Sequence, residues 1–191
     1  MSEPSVVVRA ATEDEAPACV DLWVAAVAVR DGVRESEAVR QRAAAKFTVP
    51  RVALIVAVDD DGPGGFALVT GPGTGFTGDP GDAAYLALLA VDPRVQGRGL
   101  GRSLLRAAVD AAGRAGHHRC LLHALDDNAP ALRLYRSAGF QPVGAAFPHA
   151  LSGRPTRAWV TSASGGRPPR PATAPTSPGA RSAGTAAATG S

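Results

Sequence analysis

Leu88-Leu89-Ala90-Val91-Asp92-Pro93-Arg94-Val95-Gln96-Gly97-Arg98-Gly99-Leu100-Gly101-Arg102-Ser103-Leu104-Leu105 carries the end of an apolar run into the start of an amphipathic one. The run from Ala83 to Val91 is short, contains β-formers and stops at Asp92-Pro93, so it reads as a buried strand. Pro93 has no N–H to give a sheet ladder, and the chain must leave the sheet there. From Gly99 onward Leu100, Leu104, Leu105, Ala108, Val109 and Ala112 fall on one helical face, while Arg98, Arg102 and Arg106 recur on another. A strand, a glycine-rich bend and a helix follow one another.

The first N–H groups of such a helix have no partners within it, and Gly97, Gly99 and Gly101 bring no side chains to keep a ligand away. The helix dipole adds about 0.3–1 kcal/mol for an anion at this end, and the neighbouring arginines add countercharge. The spacing predicts a phosphate or pyrophosphate site. A nucleotide-hydrolase loop needs GxxxxGK followed by Ser or Thr, and no Lys stands near. A dinucleotide fingerprint needs GxGxxG, whereas residues 97–102 give GxGxG, and too little chain follows for its sheet.

The stretch Gln96-Gly97-Arg98-Gly99-Leu100-Gly101 resembles the signature of the GNAT N-acetyltransferases: Gln or Arg, two residues, Gly, one residue, then Gly or Ala. The second half of that pattern follows in order, as Asn128-Ala129-Pro130-Ala131-Leu132-Arg133-Leu134-Tyr135-Arg136-Ser137-Ala138-Gly139-Phe140. The likeness spans residues 5–162 and is strongest from Leu86 to Phe140. It implies an α+β (mixed α/β) fold of the GNAT type, with a central mixed, twisted sheet of about seven strands, about four flanking helices and splayed central strands. It also implies acetyl-CoA as co-substrate and an amine-bearing acceptor. The family's cofactor-binding positions correspond to Leu89, Ala90 and Val91, which pair with the pantetheine arm like a false strand, to Gln96, Gly97, Arg98, Gly99, Leu100, Gly101, Arg102 and Ser103 around the pyrophosphate, and to Asn128. Tyr135 matches the general acid that protonates the departing thiolate. A core tyrosine and a plain helix cap are the structural readings of Tyr135 and Asn128.

The chain has 191 residues, enough for one substantial core and a tail. Its net charge of +3 arises in the tail, where Arg167, Arg170 and Arg181 stand without an acid. The remainder is balanced, which gives no general case for nucleic acid. The local excess is at Arg94, Arg98, Arg102, Arg106, Arg114 and Arg119, facing Asp110 alone between residues 94 and 119. Cys19 and Cys120 lie in apolar surroundings and read as reduced core thiols rather than a disulfide or metal framework. No metal is expected. No leader precedes the first strand and no apolar run reaches membrane-spanning length, so a cytoplasmic protein without membrane partners is expected, with a homodimer possible.

Along the chain, Val6–Arg9 reads as a strand and Thr12 with Glu15 as a capping box opening a helix to about Arg30. A second helix runs near Glu35–Phe47, with Val39, Ala43 and Phe47 on one side. Asp31, Arg34 and Glu35 between them are either acceptor contacts or a solvated turn. Strands at 51–58 and 65–70 form a hairpin around the acidic turn Asp59-Asp60-Asp61-Gly62-Pro63, which lacks the rest of a calcium loop. Residues 71–82 read as a flexible loop beside the acceptor. Strands follow at 119–125, 141–147 and 157–161, the first parallel to the central strand. Residues 1–162 form the expected N-acetyltransferase domain, and 163–191 a disordered Gly/Pro/Ala/Ser/Thr/Arg tail without large apolar residues.

Acetyl transfer by direct attack in a ternary complex further needs a general base. The central strand has no Glu; Asp82, Tyr85 and His123 are candidates. The other function classes are a non-catalytic acyl-CoA-binding module and a transferase for a longer acyl-CoA.

Overall fold

The computed structural model describes residues 6–59 and 62–163. Asp60 and Asp61 of the acidic turn and the expected tail from residue 164 lie outside the described residues. Seven strands and four helices follow in the order β1 (Val7–Ala10), α1 (Ala16–Asp31), α2 (Glu37–Phe47), β2 (Arg51–Asp59), β3 (Gly62–Thr70), β4 (Ala83–Val91), α3 (Leu100–Arg114), β5 (Arg119–Leu125), α4 (Ala129–Ser137), β6 (Gln141–Pro148) and β7 (Pro155–Ser162).

Local chemistry sets most of these boundaries. A short 3-10 turn, Glu13–Glu15, precedes α1, and the Thr12 N–H donates to the Glu15 carboxylate at 2.8 Å. Gly32 ends α1 at φ 65°, in the left-handed region that glycine adopts without a Cβ clash. Asn128 Oδ1 accepts from the Ala131 N–H and caps α4.

The strands form one mixed sheet in the order β1-β2-β3-β4-β5-β7-β6. All neighbours are antiparallel except β4 and β5, which are parallel as the right-handed strand-helix-strand connection through α3 requires. One apolar cluster joins α3 and α4 to one sheet face through Leu104, Leu105, Ala108 and Leu132, packed with Ile55, Ala67 and Leu86. A second joins α1 and α2 to the opposite face through Cys19, Val20, Leu22 and Ala43, packed with Leu54, Phe66 and Leu88. Leu104 and Leu105 are fully buried, and each such side chain contributes roughly 1.5–3 kcal/mol. Both cysteines are free, buried thiols, and burial pushes each up to about 12.

Two irregularities in β4 prepare the site. Its parallel pairing with β5 stops at Tyr85 opposite Leu121, so residues 86–91 separate from 122–125 and the central strands splay. On its other side the register with β3 passes from Leu86 opposite Val69 to Leu88 opposite Leu68, leaving Ala87 as a bulge residue. The bulge reverses the side-chain alternation: Leu86 packs with the α3 cluster, whereas Leu88 and Ala90 pack with α1 and α2.

Candidate active site

A cleft of about 1130 Å³ runs through the gap between β4 and β5 and reaches both sheet faces. Its walls are residues 85–91 of β4, 122–125 of β5, the start of α3, one side of α4, and residues of α1, α2 and the β6–β7 connection. Above Tyr85, alternate backbone groups of β4 face this gap without a β5 partner, which makes it a place where an extended ligand can complete the ladder.

The glycine loop closes one end. Gly97 and Gly99 have φ of 83° and 81°, and a Cβ built on either meets nothing within 4 Å. These two glycines therefore serve the left-handed backbone and leave open space before the helix. The N–H groups of Arg102 and Ser103 both bond to the Gly99 carbonyl, at 3.0 and 3.2 Å. The amides ahead of them are the donors that a helix start leaves without intrahelical partners, the arrangement that suits an anion. Gly101 differs from its neighbours: a Cβ there would touch Leu134 at 3.4 Å and Val91 at 3.7 Å, so its small size lets α3 approach α4 and β4. Gln96 ties the loop to the sheet by donating from Nε2 to the Val91 carbonyl at 3.1 Å.

Of the expected binding residues, Leu89, Ala90, Val91, Gln96, Gly97, Gly99, Leu100, Gly101, Arg102 and Asn128 line the cleft, as does Tyr135. Arg98 and Ser103 stand outside the lining and are exposed. Leu100 also fills the core beneath the loop. Arg106 lies on the outer helix face, 3.9 Å from Asp110.

Tyr135 packs against Phe140, with ring centroids 6.0 Å apart. Its hydroxyl makes no hydrogen bond among the described residues, and burial pushes the phenol up to about 12, so it is protonated at neutral pH. Asn128 spends its carbonyl oxygen on the helix cap, which leaves its amide donors for a ligand.

Across the cleft, Tyr85 Oη lies 3.2 Å from His123 Nδ1, and His123 Nε2 lies 3.0 Å from Asp79 Oδ1. The carboxylate fixes the proton on Nε2, so Nδ1 accepts the Tyr85 hydroxyl. Burial lowers the His123 pKa and Asp79 opposes that shift, while burial first and Asp79 second raise the Tyr85 pKa. Phe76 and Phe147 enclose the imidazole at 4.9 and 5.3 Å between centroids. Asp82, by contrast, lies 3.0 Å from Arg119 and does not line the cleft.

The loop expected to be flexible is thus tied down. Asp79 receives the Phe76 N–H at 2.6 Å, its own N–H returns to the Phe76 carbonyl, and Gly75 lacks the Cβ that would collide with its carboxylate. The sequence reading did not single out Asp79, although Asp followed by Pro is a turn signal. It also passed over Arg42 and Lys46 on α2. Val39, Arg42, Ala43 and Lys46 all line the cleft at helical spacing, a pattern present in the sequence. Burial, with Arg42 nearby, lowers the Lys46 ammonium to about 8.

At the far wall Arg30 and Arg154 line the cleft and bind Asp31, itself outside the lining, each at 2.7 Å, and these cations hold its carboxyl down to about 2. Arg34 and Glu35 lie outside the lining. Among the described residues no three His, Cys, Asp or Glu side chains are grouped as metal ligands would be, and no helix is long and apolar enough to cross a membrane.

The model of the acetyltransferase (GNAT) family matches residues 18–140. N-alpha-acetyltransferase RimI of Mycobacterium tuberculosis is 54% identical over 56 residues, covering 29% of this chain and 34% of that protein. A mycothiol acetyltransferase of Beutenbergia cavernae is 39% identical over 92 residues, covering 40% of this chain and 30% of that protein. The chain thus matches about a third of the length of these curated relatives. Among solved structures, yncA from Salmonella typhimurium "with its cofactor Acetyl-CoA" superposes with a TM-score of 0.61 at 22% identity, over 82% of this chain and 93% of that one.

Proposed function

The chain belongs to the acetyltransferase (GNAT) family, and on that premise we propose that it moves an acetyl group from acetyl-CoA to a primary amine by direct attack in a ternary complex. The observation that carries this reading is the opening of the sheet above Tyr85 beside the open Gly97–Gly101 loop, because it offers in one cleft a strand edge for a pantetheine arm and amides for its pyrophosphate. The name of the Mycobacterium tuberculosis relative supports an amine acceptor.

Residues of this chain supply the proton chemistry. A neutral amine attacks the thioester carbonyl carbon, the C–S bond breaks, the thiolate takes the Tyr135 proton, and the proton that the acylated nitrogen sheds to become a neutral amide restores the Tyr135 phenol. A phenol raised to about 12 gives up a proton reluctantly to a thiolate whose acid has a pKa of about 8.5, so the transfer depends on close positioning. On the other side Tyr85 accepts the proton of the incoming ammonium while passing its own to His123 Nδ1, and Asp79 stabilises the imidazolium so formed. A buried, neutral imidazole at pH 7 is in the state this task requires.

The test is release of free thiol from acetyl-CoA against a panel of amines, with calorimetric titration of CoA alongside. Amine-dependent thiol release with stoichiometric acetylated product is expected. CoA binding without consumption of any acyl thioester would instead assign an acyl-CoA-binding module, and turnover of longer acyl thioesters alone would reassign the donor.

A further inference from the structure

Among the described residues the cation at Lys46 has no counterion. Its Nζ sits 5.0 Å from the centre of the Tyr85 ring, half-buried, and that ring contact is its interaction among the described residues. One helical turn earlier, Arg42 borders the same cleft and likewise makes no ion pair there. Every nearby carboxylate is already spoken for. Asp31 is held by Arg30 and Arg154, Asp127 by Arg154 at 2.7 Å, and Asp79 by His123. A partly desolvated ammonium facing a ring rather than a carboxylate is costly unless something brings the missing charge.

The position of the pair identifies what brings it. The glycine loop and α3 lie with one face of the sheet, whereas α2 packs on the other, so Arg42 and Lys46 are remote from the phosphate loop and lie on the side of Tyr85 and His123. Arg154, bonded at once to Asp31 of α1 and Asp127 before α4, stands across this end of the cleft. We propose that Arg42 and Lys46 form an anion subsite of the acceptor pocket, and that the acceptor is a small free amine carrying its own carboxylate or phosphorus oxyanion, of which an amino acid is the simplest member. The inference rests on the acetyl-transfer reading for its use but not for its detection. An anion here is held by charge-assisted bonds while its amino group is presented to Tyr85.

The test uses the full chain saturated with CoA and titrated calorimetrically with matched acetylated amines. N-acetylglycine is compared with N-acetylglycinamide, and 2-acetamidoethylphosphonate with N-ethylacetamide. At least one anionic member is expected to bind on the order of tenfold or more tightly than its neutral twin. That preference should disappear in Arg42→Gln and in Lys46→Met, with affinity for CoA unchanged. Equal binding of twins, absence of binding by both anions, or a preference that survives both substitutions overturns the proposal. Binding of an acetylated acidic hexapeptide in place of both small anions also overturns it and reassigns the subsite to a protein terminus. A thiol-release assay with the corresponding free amines separates this proposal from the one beneath it. Anion preference without turnover leaves the subsite and removes acetyl transfer, while turnover indifferent to the anion does the reverse.

Discussion

Asp79 Oδ1 lies 3.0 Å from Nε2 of His123, a residue of β5 far along the chain, and both groups are almost wholly enclosed. The contact fixes the imidazole tautomer and aims Nδ1 at Tyr85. Protonation of His123 stops it from accepting a proton, so activity falls on the acid side as pH drops through its pKa, which burial sets below 6.5. Asp79→Asn removes the opposing influence, and the acid limb of kcat/KM should move to lower pH with a lower plateau. The acceptor's own titration is common to both proteins, so the difference between the profiles belongs to the pair. Identical profiles would remove Asp79 from the relay. Stability follows the same sign: with the folded pKa depressed, the unfolded chain binds the extra proton first, and stability is lost as pH falls from about 6.5 toward the folded value. His123→Asn should flatten that window in urea titrations.

Tyr135→Phe separates chemistry from packing. The hydroxyl has no protein partner among the described residues, so the melting temperature and CoA affinity should hardly change. Single-turnover acetyl transfer should fall by roughly 10² to 10⁴, the usual contribution of a positioned acid. A retained single-turnover rate in the folded variant would take Tyr135 out of the mechanism.

Gly101→Glu tests the phosphate site without the left-handed backbone strain that a change at Gly99 adds. At Gly99 any side chain meets the left-handed backbone, worth about 1–2 kcal/mol, so strain and blockage are confounded. At Gly101 the added Cβ meets Leu134 at 3.4 Å, and a carboxylate in the first turn of α3 suits the helix dipole. Calorimetry should show CoA affinity reduced by about 10² or more, with circular dichroism unchanged. Undiminished affinity would place the phosphates elsewhere.

Gly65→Ala should destabilise the fold by about 1–3 kcal/mol, measured by urea denaturation. Its Cβ would stand 2.8 Å from Leu104 Cδ1 and 2.9 Å from the Ala90 carbonyl oxygen, and backbone cannot step aside as a flexible side chain can. An unchanged midpoint would mean that α3 sits further from β3 than described.

Most of the scaffold was legible in the sequence. Asp92-Pro93 ends β4 where a missing N–H and a change of periodicity coincide, and the period of Leu100, Leu104 and Leu105 sets the face of α3. Local chemistry of that kind survives folding. The bulge at Ala87 left no trace because it is a property of register between two strands, not of either strand alone. Asp79 lay unread in a Gly- and Pro-rich loop, since its partner is remote in sequence. Lys46 was hidden differently: a lysine on an amphipathic helix ordinarily faces water, and only the packing of α2 turns this one toward Tyr85. Arg98 and Ser103, which belong to the same motif, are exposed and stand outside the cleft lining.

The three-residue parallel contact of Ala83–Tyr85 with Arg119–Leu121 means that the hydrogen bonding of the sheet forms two panels, β1 to β4 and β5, β7 and β6, laced together at one corner. Any ligand that bonds to both inner margins acts as a splint across the seam.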